Sequence, residues 1–253
     1  MIDWTLTAGM TTAIGSVLAA TVWPTVVLVL TLVFRAEIKA VIASLPLVMD
    51  RAEKLSFAGL EATLREVKAA AGNSDRTGTV SNAEREAAVR IKQKAAYVDS
   101  LELALRMDAL AREYDLLRRK MPSGSARTRA MTNILVQMRA LGPSVADQIE
   151  VFKSSGSPGS RLAAIAIMQM LPHLVDPDWL SDRFRTDHPF VFYHAALALQ
   201  NAANEFTGEL ASKILRAAEV GLEVVGSFQP TPDSETLAVL RSILAHHPEP
   251  HPA

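Results

Sequence analysis

The apolar and polar positions divide the chain into regions of different character. From Trp4 to Phe34, 31 consecutive residues carry no charge. From Arg35 to Ala71 apolar and charged residues alternate, with an interruption at Pro46. The stretch 71–82 (AGNSDRTGTVSN) is polar, contains glycine and lacks any period, the marks of a linker. Beyond it helical periodicity dominates as far as His246. The last seven residues, HPEPHPA after His246, are too proline-rich to continue a helix and are expected to be disordered. The expected organisation is an anchor at 4–34, a juxtamembrane segment at 35–70, a linker at 71–82, a helical repeat domain at 83–246 and a tail at 247–253.

The uncharged segment predicts a transmembrane helix. A hydrocarbon core about 30 Å thick needs roughly 20 apolar residues in a helix, and Ala13 to Phe34 meets that alone. A cleaved signal peptide would have a basic start and a shorter apolar core. A buried helix of a soluble domain would be amphipathic or shorter. Pro24 should kink the span, with the hydroxyls of Thr21 and Thr25 close enough to re-satisfy the freed backbone groups. Arg35, Lys39, Arg51 and Lys54 follow the span and no Lys or Arg precedes it. The positive-inside rule therefore puts the amino terminus outside and residues 35–253 in the cytoplasm. Gly9, Ala13, Gly15, Ser16, Ala19 and Ala20 form a small-residue face of the kind that lets membrane helices pack closely, which suits a homo-oligomer.

After the linker, Ser81 and Glu84 have the spacing of a capping box and open a stretch free of Gly and Pro from about Asn82 to Lys120, which reads as one long helix or as a helix with a break inside it. One stripe there comprises Ile91, Ala95, Val98, Leu101 and Leu105, and a rotated one Leu103, Met107, Leu110, Tyr114 and Leu117. Upstream, residues 55–70 read as a strand pair or a helix, with Ala, Leu and Glu content favouring helix.

A repeat follows. At a spacing of 32 residues, Arg129 to Met138, Arg161 to Met170 and Tyr193 to Ala202 align without gaps. Ile134, Leu135 and Met138 overlie Ala166, Ile167 and Met170, and AAIAI at Ala163 overlies AALAL at Ala195. Each block is followed by a break and a second apolar segment, and Phe152 and Phe184 keep the same spacing. Two helices per repeat unit, at least three times over, is the pattern of an α-solenoid. Asp176-Pro177 and Thr231-Pro232 each offer an N-cap followed by Pro, as does His188-Pro189 beside Asp187. A last helix is expected from about Pro232 to His246.

The segments TDHPFVFYHAALALQNA and RLAAIAIMQMLPHLVDPDWL resemble units of a short HEAT-type repeat, over roughly Ser123 to Val220. The resemblance implies helical hairpins, in a curved stack or a compact bundle, of a kind that generally binds proteins and rarely catalyses. It departs from the usual pattern in its few units and in Tyr193, where Arg is common. The whole chain also resembles, more loosely, uncharacterised bacterial single-pass membrane proteins. The expected fold is all-α: an N-terminal transmembrane helix, a linker, and a cytoplasmic helical-hairpin (HEAT-like, α-solenoid) domain.

Chemistry narrows the function classes. A net charge of −1 argues against a nucleic-acid binder. The lack of cysteine agrees with a reducing compartment. No zinc-protease, phosphate-loop or nucleophile-elbow motif is present. Among the histidines, His246, His247 and His251 sit at the tail, His173 and His188 at helix boundaries, and His194 is expected at a core edge, bonded to a backbone carbonyl. Asp176 and Asp178 suit a helix start. No catalytic, cofactor-binding or metal-ligating set is expected, and the protein is not expected to be an enzyme. The densest positive cluster is Arg118, Arg119, Lys120, Arg127 and Arg129. It reads as solvated charge favourable to a helix C-terminus, or as a patch facing anionic lipid or an acidic partner. These features point to a bacterial-type, inner-membrane adaptor, scaffold or sensor whose cytoplasmic domain binds a protein partner. The alternative is an oligomerising membrane effector that perturbs the bilayer, as in bacterial defence or toxin systems.

Overall fold

The computed structural model describes Val26, Leu30 and residues 33–35, 58–71, 78–95, 100–229 and 233–246. The chain forms two units, Met1–Leu55 and Ser56–Ala253. In the first, Val26, Leu30 and Val33 are helical and, with Phe34, exposed. No helix among the described residues is long and apolar enough to cross a membrane. The predicted span and its small-residue face (Gly9, Ala13, Gly15, Ser16, Ala19 and Ala20) fall outside those residues, apart from Val26, Leu30, Val33 and Phe34 of the span.

The second unit is all-α, with no strand among the described residues. Its first helix, α1, covers 58–71 and settles the open reading of this stretch. Leu60, Leu64 and Val67 recur at helical spacing and are buried. They belong to the same apolar cluster as Ile91, Leu103 and Met107, so α1 packs into the helical unit. Polar ties flank that contact: Lys94 Nζ donates to the Gly59 carbonyl at 3.1 Å, and Arg106 pairs with Glu61 at 2.8 Å.

The glycine-free stretch forms two helices, α2 (Asn82–Ala95) and α3 (Ser100–Lys120). The second stripe is core, with Leu103, Met107, Leu110 and Tyr114 buried. The first stripe does not continue: Ile91 is buried, whereas Leu101 and Leu105 are 62% and 55% exposed. A stripe drawn across 96–99 assumes one unbroken helical phase, and α3 sets its own.

The repeat region supplies α4 (Ser125–Leu141), α5 (Ile149–Ser154), α6 (Pro158–Met170), α7 (Pro177–Thr186), α8 (Pro189–Ala203) and α9 (Glu209–Gly226), followed by α10 (Ser234–His246). Helix α4 packs on α6, α6 on α8 and α8 on α10; α7 and α9 pack on each other and on α8. The 32-residue register is visible in burial. Ala163, Ala164, Ala195 and Ala196 are fully buried, and Phe152 and Phe184 both enter the core. Small side chains at these contacts let the helices approach closely. At Gly159 even a methyl is excluded, because a Cβ there would lie 2.1 Å from the Ala111 carbonyl of α3.

Of the marked starts before Pro, Asp176 caps through its side chain, whereas His188 precedes α8 without a side-chain cap hydrogen bond. Asp176 accepts from the Trp179 N–H at 3.1 Å. Its carboxyl, held below the usual carboxylate range, gains from that bond and from Lys153 at 2.7 Å more than burial costs it. Asp187 closes α7 and takes Arg161 at 2.7 Å and Arg183 at 3.2 Å. The predicted start at Thr231-Pro232 lies outside the described residues; α10 starts at Ser234, where Asp233 accepts from Thr236 N–H at 2.9 Å.

Candidate functional site

The first turns of α4, α8 and α10 open onto one cleft of about 680 Å³. Pro at the first position of α8 and the Asp233 cap of α10 fix where two of these helices begin. Arg127, Thr128, Met131 and Thr132 come from α4, and Pro189, Phe190, Tyr193 and His194 from α8. Asp233 precedes α10, which supplies Glu235, Ala238 and Val239; Arg118, in the last turn of α3, and Gly78 complete the lining.

The predicted basic cluster is split by this geometry. Arg118 and Arg127 are half-buried in the cleft wall, whereas Arg119, Lys120 and Arg129 are exposed and do not line it. Among the described residues neither Arg118 nor Arg127 pairs with a carboxylate; Arg127 Nη1 donates to the Met121 carbonyl at 3.3 Å. Their charge is felt at His188, whose pKa falls because of partial burial first and Arg118 second, with Arg161 and Arg127 adding to it and Asp187 opposing. Tyr114 lies behind Arg118. Burial drives its hydroxyl up to about 12 against the opposing pull of that guanidinium.

The aromatic wall is ordered by stacking. Phe190 meets His194 edge-on at 4.6 Å between ring centroids and lies 5.9 Å from Tyr114, and Tyr193 meets His194 at 5.1 Å. His194 departs from expectation: it is only 2% exposed, and its Nδ1 has no hydrogen-bond partner among the described residues. Burial, and then the nearby Arg139, hold its pKa well below the ordinary value, so the imidazole is neutral at pH 7.

Beneath the cleft runs a buried polar network that the sequence reading did not find. Arg139 is fully buried and pairs with Glu84 at 3.1 Å. Its Nε donates to Gln169 Oε1 at 2.7 Å, and its Nη atoms reach the carbonyls of Gly78 and Thr79. Gln169 Nε2 in turn donates to the His194 carbonyl at 2.7 Å. Glu84 also closes the predicted capping box, accepting from Ser81 N–H at 2.6 Å while Ser81 Oγ accepts from Glu84 N–H at 3.3 Å. One carboxylate thus caps α2 and neutralises a buried guanidinium. The chain at 78–81, within the predicted linker, is held against the repeat region and contributes Gly78 to the cleft.

At 32-residue spacing Arg139 falls where Leu171 and Ala203 stand in the next units, a polar departure that could have flagged it. Asn201, 32 residues after Gln169, donates to the Gln169 carbonyl at 3.4 Å. Comparison with protein-family models, with curated proteins and with solved structures finds no match.

Proposed function

We propose that the protein is a single-pass membrane protein whose cytoplasmic HEAT-like, α-solenoid domain binds another protein through the cleft bounded by α4, α8 and α10. It would serve as an adaptor, scaffold or sensor and not as an enzyme, with its amino terminus outside the inner membrane. The observation that carries the reading is the cleft itself. Its volume lies within the range of about 300–1,000 Å³ typical of binding pockets. Two guanidinium groups line it without carboxylate partners among the described residues, beside aromatic rings already ordered by stacking. Such a surface is preorganised, so little side-chain freedom is lost when a partner arrives.

The anchor is supported by the uncharged run before Arg35. Val26, Leu30, Val33 and Phe34 are exposed apolar side chains at helical spacing, costly in water and favourable in lipid. The face from Gly9 to Ala20 suits pairing of two such anchors.

Three measurements test the proposal. Alkaline extraction should leave the full chain in the membrane fraction, and a reporter at residue 253 should be active only in the cytoplasm. Proteins crosslinked in cells and co-purified with the full chain should be lost when Ala238→Trp fills the cleft, and retained with Ala126→Trp on the exposed side of α4. Extraction into the soluble fraction, or equal recovery with both variants, refutes the corresponding half.

A further inference from the structure

We infer that the cleft recognises a carboxylate of its partner, held between Arg118 and Arg127, on a segment that also carries a cation facing Asp233 and Glu235. The inference rests on the reading of the cleft as the partner-binding surface and names the chemistry of what enters it.

Three observations converge. Arg118 and Arg127 reach the cleft from different helices and have no carboxylate partner among the described residues. Guanidinium groups placed this way hold an oxyanion by paired, charge-assisted hydrogen bonds. The first turns of α4 and α8 face the same space, so their dipoles add positive potential there. Independently, His194 lines the cleft as a neutral, 2% exposed imidazole, so that part of the lining adds no charge of its own.

Two further charges decide the kind of anion. Asp233 and Glu235 line the same cleft, and their negative charge disfavours a doubly charged phosphate or an anionic bilayer surface. A single carboxylate accompanied by a Lys or Arg meets both pairs of groups with opposite charge. Met131, Phe190 and Val239, in the same lining, offer apolar contact. That combination describes a short protein segment, acidic at one end and basic at the other, with an apolar residue between.

The test selects a random heptapeptide display library on the full chain in phosphatidylcholine nanodiscs. Enriched peptides should carry Asp or Glu and Lys or Arg on either side of an apolar residue. Arg118→Gln with Arg127→Gln should lower their binding about tenfold or more, the loss expected for a charged hydrogen-bonded pair. Arg119→Gln with Arg129→Gln should leave it unchanged. Glu235→Lys, at an exposed position that leaves folding intact, should shift the enriched set to purely acidic peptides. Absence of enrichment, peptides without a carboxylate, or indifference to Arg118 and Arg127 overturns the inference. So does elution by inorganic phosphate where acetate is inert, or binding to phosphatidylserine vesicles that the double variant abolishes. If the double variant keeps its crosslinked partners while Ala238→Trp loses them, the cleft binds protein but not by a carboxylate. If both keep them, the functional reading itself fails.

Discussion

Replacing Glu84 with Gln should expose how strongly the buried Arg139 depends on one partner. The substitution keeps the side chain's shape and an oxygen able to accept from Ser81 N–H, so the α2 cap survives. What it removes is the charge and, with the amide oxygen kept on Ser81, the acceptor facing Arg139 Nη1. Arg139 is 0% and Glu84 2% exposed at the side chain, and water cannot screen the guanidinium left behind. Gln169 Oε1 and the carbonyls of Gly78 and Thr79 are among the neutral acceptors that remain to it. Burial already lowers the Arg139 pKa, and Glu84 is the main force opposing that shift. Breaking a buried pair by removing one partner costs about 3–5 kcal/mol, so Glu84→Gln should cost about 3 kcal/mol. Arg139→Met should cost about as much, because it strands the Glu84 carboxylate and leaves the Gly78 and Thr79 carbonyls without a donor. The double variant should fall short of the sum by about 2 kcal/mol, within the range for residues of one network. The assay is urea denaturation of residues 56–253 at pH 7, analysed as a double-mutant cycle. A coupling below about 0.5 kcal/mol would mean that the two charges act independently, and the network beneath the cleft would be wrong.

Three further outcomes follow from the same structure. A fragment of residues 56–253 should unfold cooperatively, whereas one beginning at residue 83 loses Leu60, Leu64, Val67 and the Ser81 cap. The shorter fragment should show a clearly lower urea midpoint; equal midpoints would detach α1 from the core. Ala196→Leu should overpack a fully buried contact and Gly159→Ala should collide with the Ala111 carbonyl, each costing about 1–3 kcal/mol by urea denaturation. Ala126→Leu, at an exposed position, should cost nothing measurable, and an unmoved Ala196→Leu midpoint would break the repeat register. His194 is held neutral in the folded state, so the unfolded chain binds the extra proton below about pH 6.5. Its contribution is therefore complete above that pH and falls by up to about 1.4 kcal/mol per pH unit as pH drops toward the folded pKa. His194→Gln should flatten this stretch of the stability-versus-pH curve, and an unchanged slope would place the imidazole in water.

Much of the architecture was legible because it rests on local, periodic signals. The 32-residue spacing located the buried alanines of α6 and α8 and the pair Phe152 and Phe184. Ser81 with Glu84, and Asp176 with Pro177, marked helix starts that the hydrogen bonds confirm. The reading failed where phase was carried across a joint, as with Leu101 and Leu105 beyond residues 96–99. It also missed Glu84's second role, since Arg139 stands 55 residues away and no period links them. The cleft was half visible. Arg118 and Arg127 stood out as a run of charge, but only folding selects these two and sets them in one lining with Tyr193 of α8 and Glu235 of α10. Tyr193 was noticed only as a departure from the HEAT-like pattern, and its place in the cleft wall gives that departure a physical context.

The most direct test of the account is photo-crosslinking from inside the cleft in living cells. A photoreactive phenylalanine analogue at Thr132 of the full chain should yield a discrete adduct with a second protein. The same analogue at Val151, an exposed apolar position of α5 that does not line the cleft, should not. No adduct at Thr132, or the same adducts from both positions, would contradict the claim that this cleft is where the protein meets its partner.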